Sequence, residues 1–241
     1  AQLVFCIDVR SEVIRRHIEA QGNYETLGFA GFFGVPIAHT SLGEDQARDS
    51  CPVLISARYR TEEVPAKGHE QEGERYRRRL TTFNGLKRAL QDLKKDVAGA
   101  FPLVEMTGTI FGAAMLARTF TPASIHMAAE KLKKRLIGDP RTYILVSGEA
   151  QDHGRMDYQA RLYHAEVALS VMGLTRNFAP LVVMCGHGGQ VVNNPYAAAL
   201  DCGACGGHNG EPNARVMAEI LNETEIRNGL AERGIHIPDD T

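Results

Sequence analysis

Leu3-Val4-Phe5-Cys6-Ile7-Asp8-Val9-Arg10 is an apolar run that ends in a thiol, a carboxylate and a guanidinium spaced two residues apart. The run reads as a buried strand over Leu3 to Asp8. Side chains of an extended strand alternate faces, so Cys6, Asp8 and Arg10 are expected on one side. A soft ligand, a hard ligand and a fixed cation on one face can build a metal site whose metal–carboxylate bond an arginine controls. Ser11 is the expected N-cap of a helix from about Glu12 to Gln21, with Val13, Ile14 and Ile18 turned inward and Gly22 as the stop. Strand, polar turn and helix in this order open an α/β unit, and α/β is the expected fold class.

Further along, Gly28 to Pro36 is a glycine- and aromatic-rich loop, read as a tight turn over the core ahead of a substrate-lining role. His69 to Lys95 is charged and helical. Its basic run Arg75, Arg77, Arg78 and Arg79, and the later cluster Lys131 to Arg135, read as solvated helix faces rather than binding patches. Ala98 to Ala129 is rich in small residues and reads as helix in pieces, with breaks at Pro102 and Pro122. Residues from about 65 to 138 therefore look like a helical insertion in one α/β domain. Thr142 to Val146 reads as a strand and Tyr158 to Met172 as a helix, because Leu162, Ala165, Leu169 and Met172 recur at helical spacing. Leu181 to Met184 is a second buried strand. Asn213 to Asn222 and Glu223 to Arg233 are the final helices.

With 241 residues, 44% apolar and 23% charged, the chain can bury a sizeable core. A net charge of −2 gives no general pull toward nucleic acid, and no nucleic-acid partner is expected. Five cysteines in a chain of this length point to a reducing compartment and to thiols used as ligands or core fillers. Ala1-Gln2-Leu3 lacks the basic start of a signal peptide. The chain opens almost inside a strand and stops where another could begin, so a fragment of a longer polypeptide is expected. The most membrane-like window, Val97 to Ala117, is interrupted by Pro102 and Glu105. A spanning helix needs about 20 apolar residues, so a buried helix is expected there.

Two strands thus end in potential metal ligands, Cys6 and Asp8 on the first and His187 just after the second. In open α/β sheets sites form at the carboxyl ends of parallel strands. If these strands are parallel neighbours, the three side chains converge. Cys202, 15 residues beyond His187, offers a fourth ligand. Two thiolates, an imidazole and a carboxylate suit zinc, not magnesium or calcium. Four protein ligands close a site, whereas catalysis needs one position for water. Asp8 is the most easily released, and Arg10 can hold its carboxylate in a bidentate pair. Two other readings stand beside this one. A phosphate or sulfate ester hydrolase would use a second metal, for which Asp152, His153 and Asp157 are at hand. A structural zinc knot would use His187, Cys202 and Cys205, with Cys185. Cys51 and Cys185 read otherwise as core thiols, and His208 as a loop residue or a proton shuttle.

Cys-x-Asp-x-Arg after a buried strand resembles the first zinc motif of β-carbonic anhydrases. The wider set resembles the DabA family, the peripheral subunit of a bacterial inorganic-carbon uptake complex. That set comprises Phe5 to Glu12, Gly28 to Gly34, Cys185-Gly186-His187-Gly188, Asn193 to Tyr196, Cys202 to Gly207 and Asn213-Ala214-Arg215. The resemblance spans nearly the whole chain. It implies a mostly parallel central sheet flanked by helices, a β-carbonic-anhydrase-like core. It implies Zn2+ held by Cys6, Asp8, His187 and Cys202, with Arg10 as partner of Asp8. It also implies CO2 hydration to bicarbonate by a zinc-bound hydroxide, with a membrane-embedded, DabB-like cation-translocating subunit as partner. The implied location is the cytoplasmic face of the inner membrane. β-Carbonic anhydrases place their second cysteine three residues after the histidine, so the loop to Cys202 departs from their pattern.

Overall fold

The computed structural model describes residues 1–146, 154–192 and 194–241. The chain divides into two compact units, one of Ala1–Glu63, Ile144–Gln190 and Tyr196–Thr241, the other of Val64–Tyr143 and Val191–Pro195.

In the first unit, β1 (Gln2–Cys6) lies between β2 (Glu25–Phe29) and β7 (Val182–Cys185), and both pairings are parallel. Phe5 stands opposite Cys185 and Cys6 opposite Phe29, so the carboxyl ends of all three strands open on one edge. Val4, wholly buried, anchors the central strand in a core shared with Phe33, Ile37, Leu169, Met217 and Ile220. Helices α5 (Tyr158–Met172), α6 (Glu211–Asn222) and α7 (Thr224–Glu232) pack on one another and supply 10 of the 21 described buried residues of that core. The periodicity read over Tyr158 to Met172 is α5. Asp157 caps it by accepting from Ala160 N at 2.8 Å, and Gly173 stops it with a left-handed φ of 74°.

Three sequence expectations fail around the opening stretch. The first strand ends at Cys6, and α1 (Val9–Glu19) begins three residues later. Asp8, not Ser11, is its N-cap, with the carboxylate accepting from Arg10 N at 2.9 Å. A carboxylate both satisfies a free N–H and meets the positive end of the helix dipole, which a serine hydroxyl does less well. Strand alternation therefore does not orient Asp8 and Arg10; the cap does. Val13 and Ile14 are exposed, because α1 leaves that face uncovered.

The architecture is mixed α/β with parallel elements, but the strands form two sheets instead of one central sheet. The second has the order β4-β3-β5-β6, built from β3 (Ile37–Thr40), β4 (Arg48–Ser50), β5 (Tyr59–Pro65) and β6 (Thr142–Leu145). β3 runs parallel to β5 and antiparallel to β4.

The second unit is dominated by three helices: α2 (Glu70–Lys95), α3 (Val97–Phe120) and α4 (Pro122–Ile137). Pro122 does separate α3 from α4, sitting in the first turn where its missing N–H costs nothing. Pro102 does not break α3, which is one continuous helix started by Asp96 accepting from Gly99 N at 2.7 Å. The expectation of a buried helix is overturned. No residue of α3 is buried, since within its unit only α2 and α4 pack along it.

Candidate metal centre

The carboxyl edge of the parallel sheet brings together Cys6, His187 and Cys202, whose ligand atoms all lie within 4.8 Å of one another. Cys6 is the last residue of β1. His187 follows the end of β7 by two residues, and Gly210 N donates to its carbonyl at 2.9 Å. Gly186 makes that approach possible, because a Cβ there would lie 2.4 Å from Gly210 O. Cys202 is set by a tight loop. Its N–H donates to His208 O and its carbonyl accepts from Cys205 N and Gly207 N, each at 3.0 Å. Short 3-10 turns, Ala197–Leu200 and Gly203–Cys205, flank it.

The donors fit a soft metal on four counts. The Cys6 and Cys202 sulfurs are buried and 3.8 Å apart. The neighbouring thiols of Cys205, and after it Cys6, hold the Cys202 pKa far below the ordinary thiol value. Cys205 in turn is held protonated by that same contact with Cys202 and by burial. His187 Nε2 is buried with no hydrogen-bond partner, an arrangement that costs free energy unless something ligates it. Finally, a Cβ on Gly31 would come within 2.5 Å of Cys202 Sγ and 2.8 Å of Cys6 Sγ. The glycine in the loop after β2 therefore preserves the space beside the sulfurs.

Asp8 stands outside the three-residue group, clasped by Arg10. Arg10 Nε donates to Asp8 Oδ1 at 2.8 Å and Nη2 to Oδ2 at 3.1 Å, a two-pronged pair. The Arg10 side chain, followed by its backbone N–H, holds the Asp8 pKa at about 2. Arg10 also donates from Nη1 to Leu200 O at 2.7 Å, which ties the clasp to the loop carrying Cys202. Asp201, one residue on, accepts from Gly189 N at 2.6 Å and fastens that loop to the one carrying His187. Sequence reasoning missed Leu200, which acts through its backbone carbonyl, and Asp201, whose carboxylate meets a backbone N–H of another loop.

The remaining candidates lie elsewhere. Cys205 and Cys185 are not in the cluster, and Cys185 Sγ contacts the carbonyl of Val183 in its own strand. Cys51 is buried as expected, Cys185 only partly so, and His208 is exposed. Asp152 and His153 lie outside the described residues, and Asp157 is occupied as the α5 cap. Among the described residues no second cluster of His, Cys, Asp or Glu ligands forms. Asn213 was read as the start of a helix and as part of a motif, but it proves to be a wholly buried strut. Its Nδ2 donates to Val35 O and Ser50 O, both at 2.9 Å, and Ser50 Oγ donates back to its Oδ1 at 2.5 Å. Ser50 also contacts the Cys205 thiol, so the strut reaches the neighbourhood of Cys202.

The chain is 48% identical to a protein of Salinibacter ruber named "Probable inorganic carbon transporter subunit DabA", over all of this chain and 31% of that protein. Proteins of the same name from Legionella pneumophila and Bacillus cereus are 43% and 41% identical, again over all of this chain and over 32% and 28% of theirs. The chain thus spans about a third of the length of the curated relatives it matches. No solved structure matches it. The family model described as "Probable inorganic carbon transporter subunit DabA" matches residues 1–241, and the chain belongs to that family.

Proposed function

We infer that the chain is the zinc-binding part of an inorganic carbon uptake subunit and hydrates CO2 to bicarbonate. The observation that carries this reading is the convergence of Cys6, His187 and Cys202 beside a carboxylate that Arg10 holds back. Cys6, His187 and Cys202 would hold the zinc, with Asp8 as the fourth ligand of a closed state. Two sulfurs and an imidazole match zinc's preference over hard-cation chemistry. Zinc so held supplies a Lewis acid that lowers the pKa of a water to about 7, the nucleophile CO2 requires.

The chain's own residues then divide the work. Cys205, beside Cys202, favours the thiolate form in which Cys202 would ligate. Gly31 keeps the space beside the sulfurs free of a side chain. Arg10 holds Asp8 in a bidentate clasp and, through Leu200 O, senses the position of the Cys202 loop. Clasped, Asp8 leaves three protein ligands, the count that an open catalytic site uses. Released, it would close the site. A membrane-embedded, cation-translocating subunit of the DabB kind is the partner we assign to this switch, with the chain peripheral at the cytoplasmic face of the membrane. The alternatives have less support. An ester hydrolase needs a second metal cluster, which does not form among the described residues, and a structural knot needs Cys205 or Cys185 within the ligand group.

The test is zinc content together with bicarbonate-dependent growth for Cys6→Ser, Asp8→Asn, His187→Ala and Cys202→Ser. Loss of growth in all four, with loss of zinc in the Cys6, His187 and Cys202 variants, is expected. Full zinc and full growth without Cys6 would sink the reading.

A further inference from the structure

The three-helix unit carries features that the metal centre does not use. α3 runs 24 residues, about 36 Å at 1.5 Å per residue, with Glu105 and Arg118 as its only charges. Phe101, Val104, Met106, Ile110, Leu116 and Phe120 are all more than half exposed. At about 100° per residue they spread over roughly two-thirds of the helix circumference. Such a helix belongs in an apolar surrounding, and its length and composition suffice to cross a membrane.

Topology argues against a crossing. Ala66 N, ahead of α2, donates to Arg141 O, after α4, at 2.9 Å, so the chain leaves and returns to one place. Were α3 to span a bilayer, α2 or α4 would have to cross back. α2 carries Arg75, Arg77, Arg78, Arg79 and four further basic residues, and α4 carries five charges within 16 residues. Neither can pass through hydrocarbon. α3 therefore lies along an apolar boundary.

Charge says which boundary. All seven lysines of the chain fall between Lys67 and Lys134. Residues 64–143 hold 15 Lys and Arg against 8 Asp and Glu, a net +7 in a chain whose total is −2. The flanking helices expose Lys87, Lys94 and Lys95 on one side of α3 in sequence, and Lys131, Lys133 and Lys134 on the other. Basic side chains bracketing an exposed apolar helix fit a bilayer interface, where the apolar surface enters the headgroup boundary and the cations meet anionic lipid. A nucleic acid would meet the lysines but leave α3 bare.

We propose that helices α2–α4 form a membrane-docking element that lays α3 into the surface of an anionic bilayer. This deepens the peripheral membrane location proposed above and is independent of the metal centre. The test is co-sedimentation of the full-length protein with vesicles. One set is phosphatidylcholine with about 30% phosphatidylglycerol and the other phosphatidylcholine alone, each at about 0.1 M and about 1 M NaCl. Binding to the anionic vesicles at low salt is expected, weakened at high salt. Ile110→Asp with Leu116→Asp, and separately Lys131→Glu with Lys133→Glu and Lys134→Glu, should each lower the partition coefficient at least ~10-fold. These positions are exposed, so far-ultraviolet circular dichroism should be unchanged. Equal binding to both lipid sets, or parental binding by both variants, overturns the proposal. So does a protein that ignores vesicles and instead self-associates through Ile110, or reaches membranes only with its partner subunit. A protein that ignores vesicles yet keeps its zinc overturns the docking element and leaves the metal centre standing.

Discussion

A methyl group on Gly31 would sit 2.5 Å from one sulfur and 2.8 Å from another, and neither can retreat into a packed interior. Gly31→Ala should therefore push the thiols apart without unfolding the chain, since overpacking of this kind costs about 1–3 kcal/mol. Zinc affinity measured by chelator competition is expected to fall at least ~10-fold, a loss typical of disturbed ligand support. Arg10 makes a different prediction. Its fork meets both carboxylate oxygens of Asp8 and a backbone carbonyl together, which a lysine ammonium cannot reproduce. Arg10→Lys should free Asp8 to occupy the fourth position. Zinc content is then retained while bicarbonate-dependent growth falls; loss of zinc in this variant would show that Arg10 supports the site and does not restrain Asp8. The three clustered residues were legible in sequence because Cys6 stands at the end of an apolar strand, His187 just after another, and Cys202 at the start of a Cys-Gly-Ala-Cys-Gly-Gly stretch. Asp8's placement was not. A carboxylate two residues past a strand can continue it or cap the next helix, and only the local hydrogen bond to Arg10 N decides.

Among the elements, the amphipathic or charged helices and the apolar strands β1, β6 and β7 were legible, and the short polar strands were not. α5 announces itself by its apolar spacing, whereas β3 and β4 are four and three residues long and read Ile-Ala-His-Thr and Arg-Asp-Ser, with no alternation to detect. These strands nevertheless bury a titratable group. His39, on β3, has Nδ1 3.1 Å from Thr61 Oγ1 on β5. His164, on α5, has Nδ1 2.8 Å from Gly34 O, to which it donates, and Nε2 3.3 Å from the Tyr59 hydroxyl. Burial holds both imidazoles below their ordinary value of 6.5. As pH falls, the unfolded chain binds these protons first, so the stability is present above about 6.5 and lost as pH falls through the lower folded values. The urea midpoint should be flat at about pH 7 and above and then decline, and His39→Asn with His164→Asn should flatten the decline. Asn213 gives a second test at this scale. Asn213→Ala strips partners from buried carbonyls of Val35 and Ser50 and should cost about 1–3 kcal/mol for each left unpaired.

On the scale of the whole molecule, the division into two units was legible only as a run of helical composition, and the exposure of α3 was not legible at all. Apolar composition says that a helix needs cover; it cannot say whether protein or lipid provides it. The metal centre has the opposite character. Cys6 and Cys202 are separated by 196 positions yet meet at 3.8 Å, so a metal there would tie the two ends of the first unit together. A ligand that binds only the folded state stabilises it by about 2.7 kcal/mol at 100 times its dissociation constant. For a chain of this size that corresponds to a melting temperature lower by roughly 5–10 °C after chelation. The loss should be confined to the first unit, because Cys6, His187 and Cys202 all belong to it. Calorimetry of the zinc-loaded and chelated protein is expected to move one transition and leave that of residues 64–143 in place. Cys202→Ser should melt like the chelated protein and no longer respond to chelator. Cys205→Ser should still respond, since its sulfur lies outside the ligand group. A chelator response that persists in Cys202→Ser and vanishes in Cys205→Ser would move the metal to the structural knot instead.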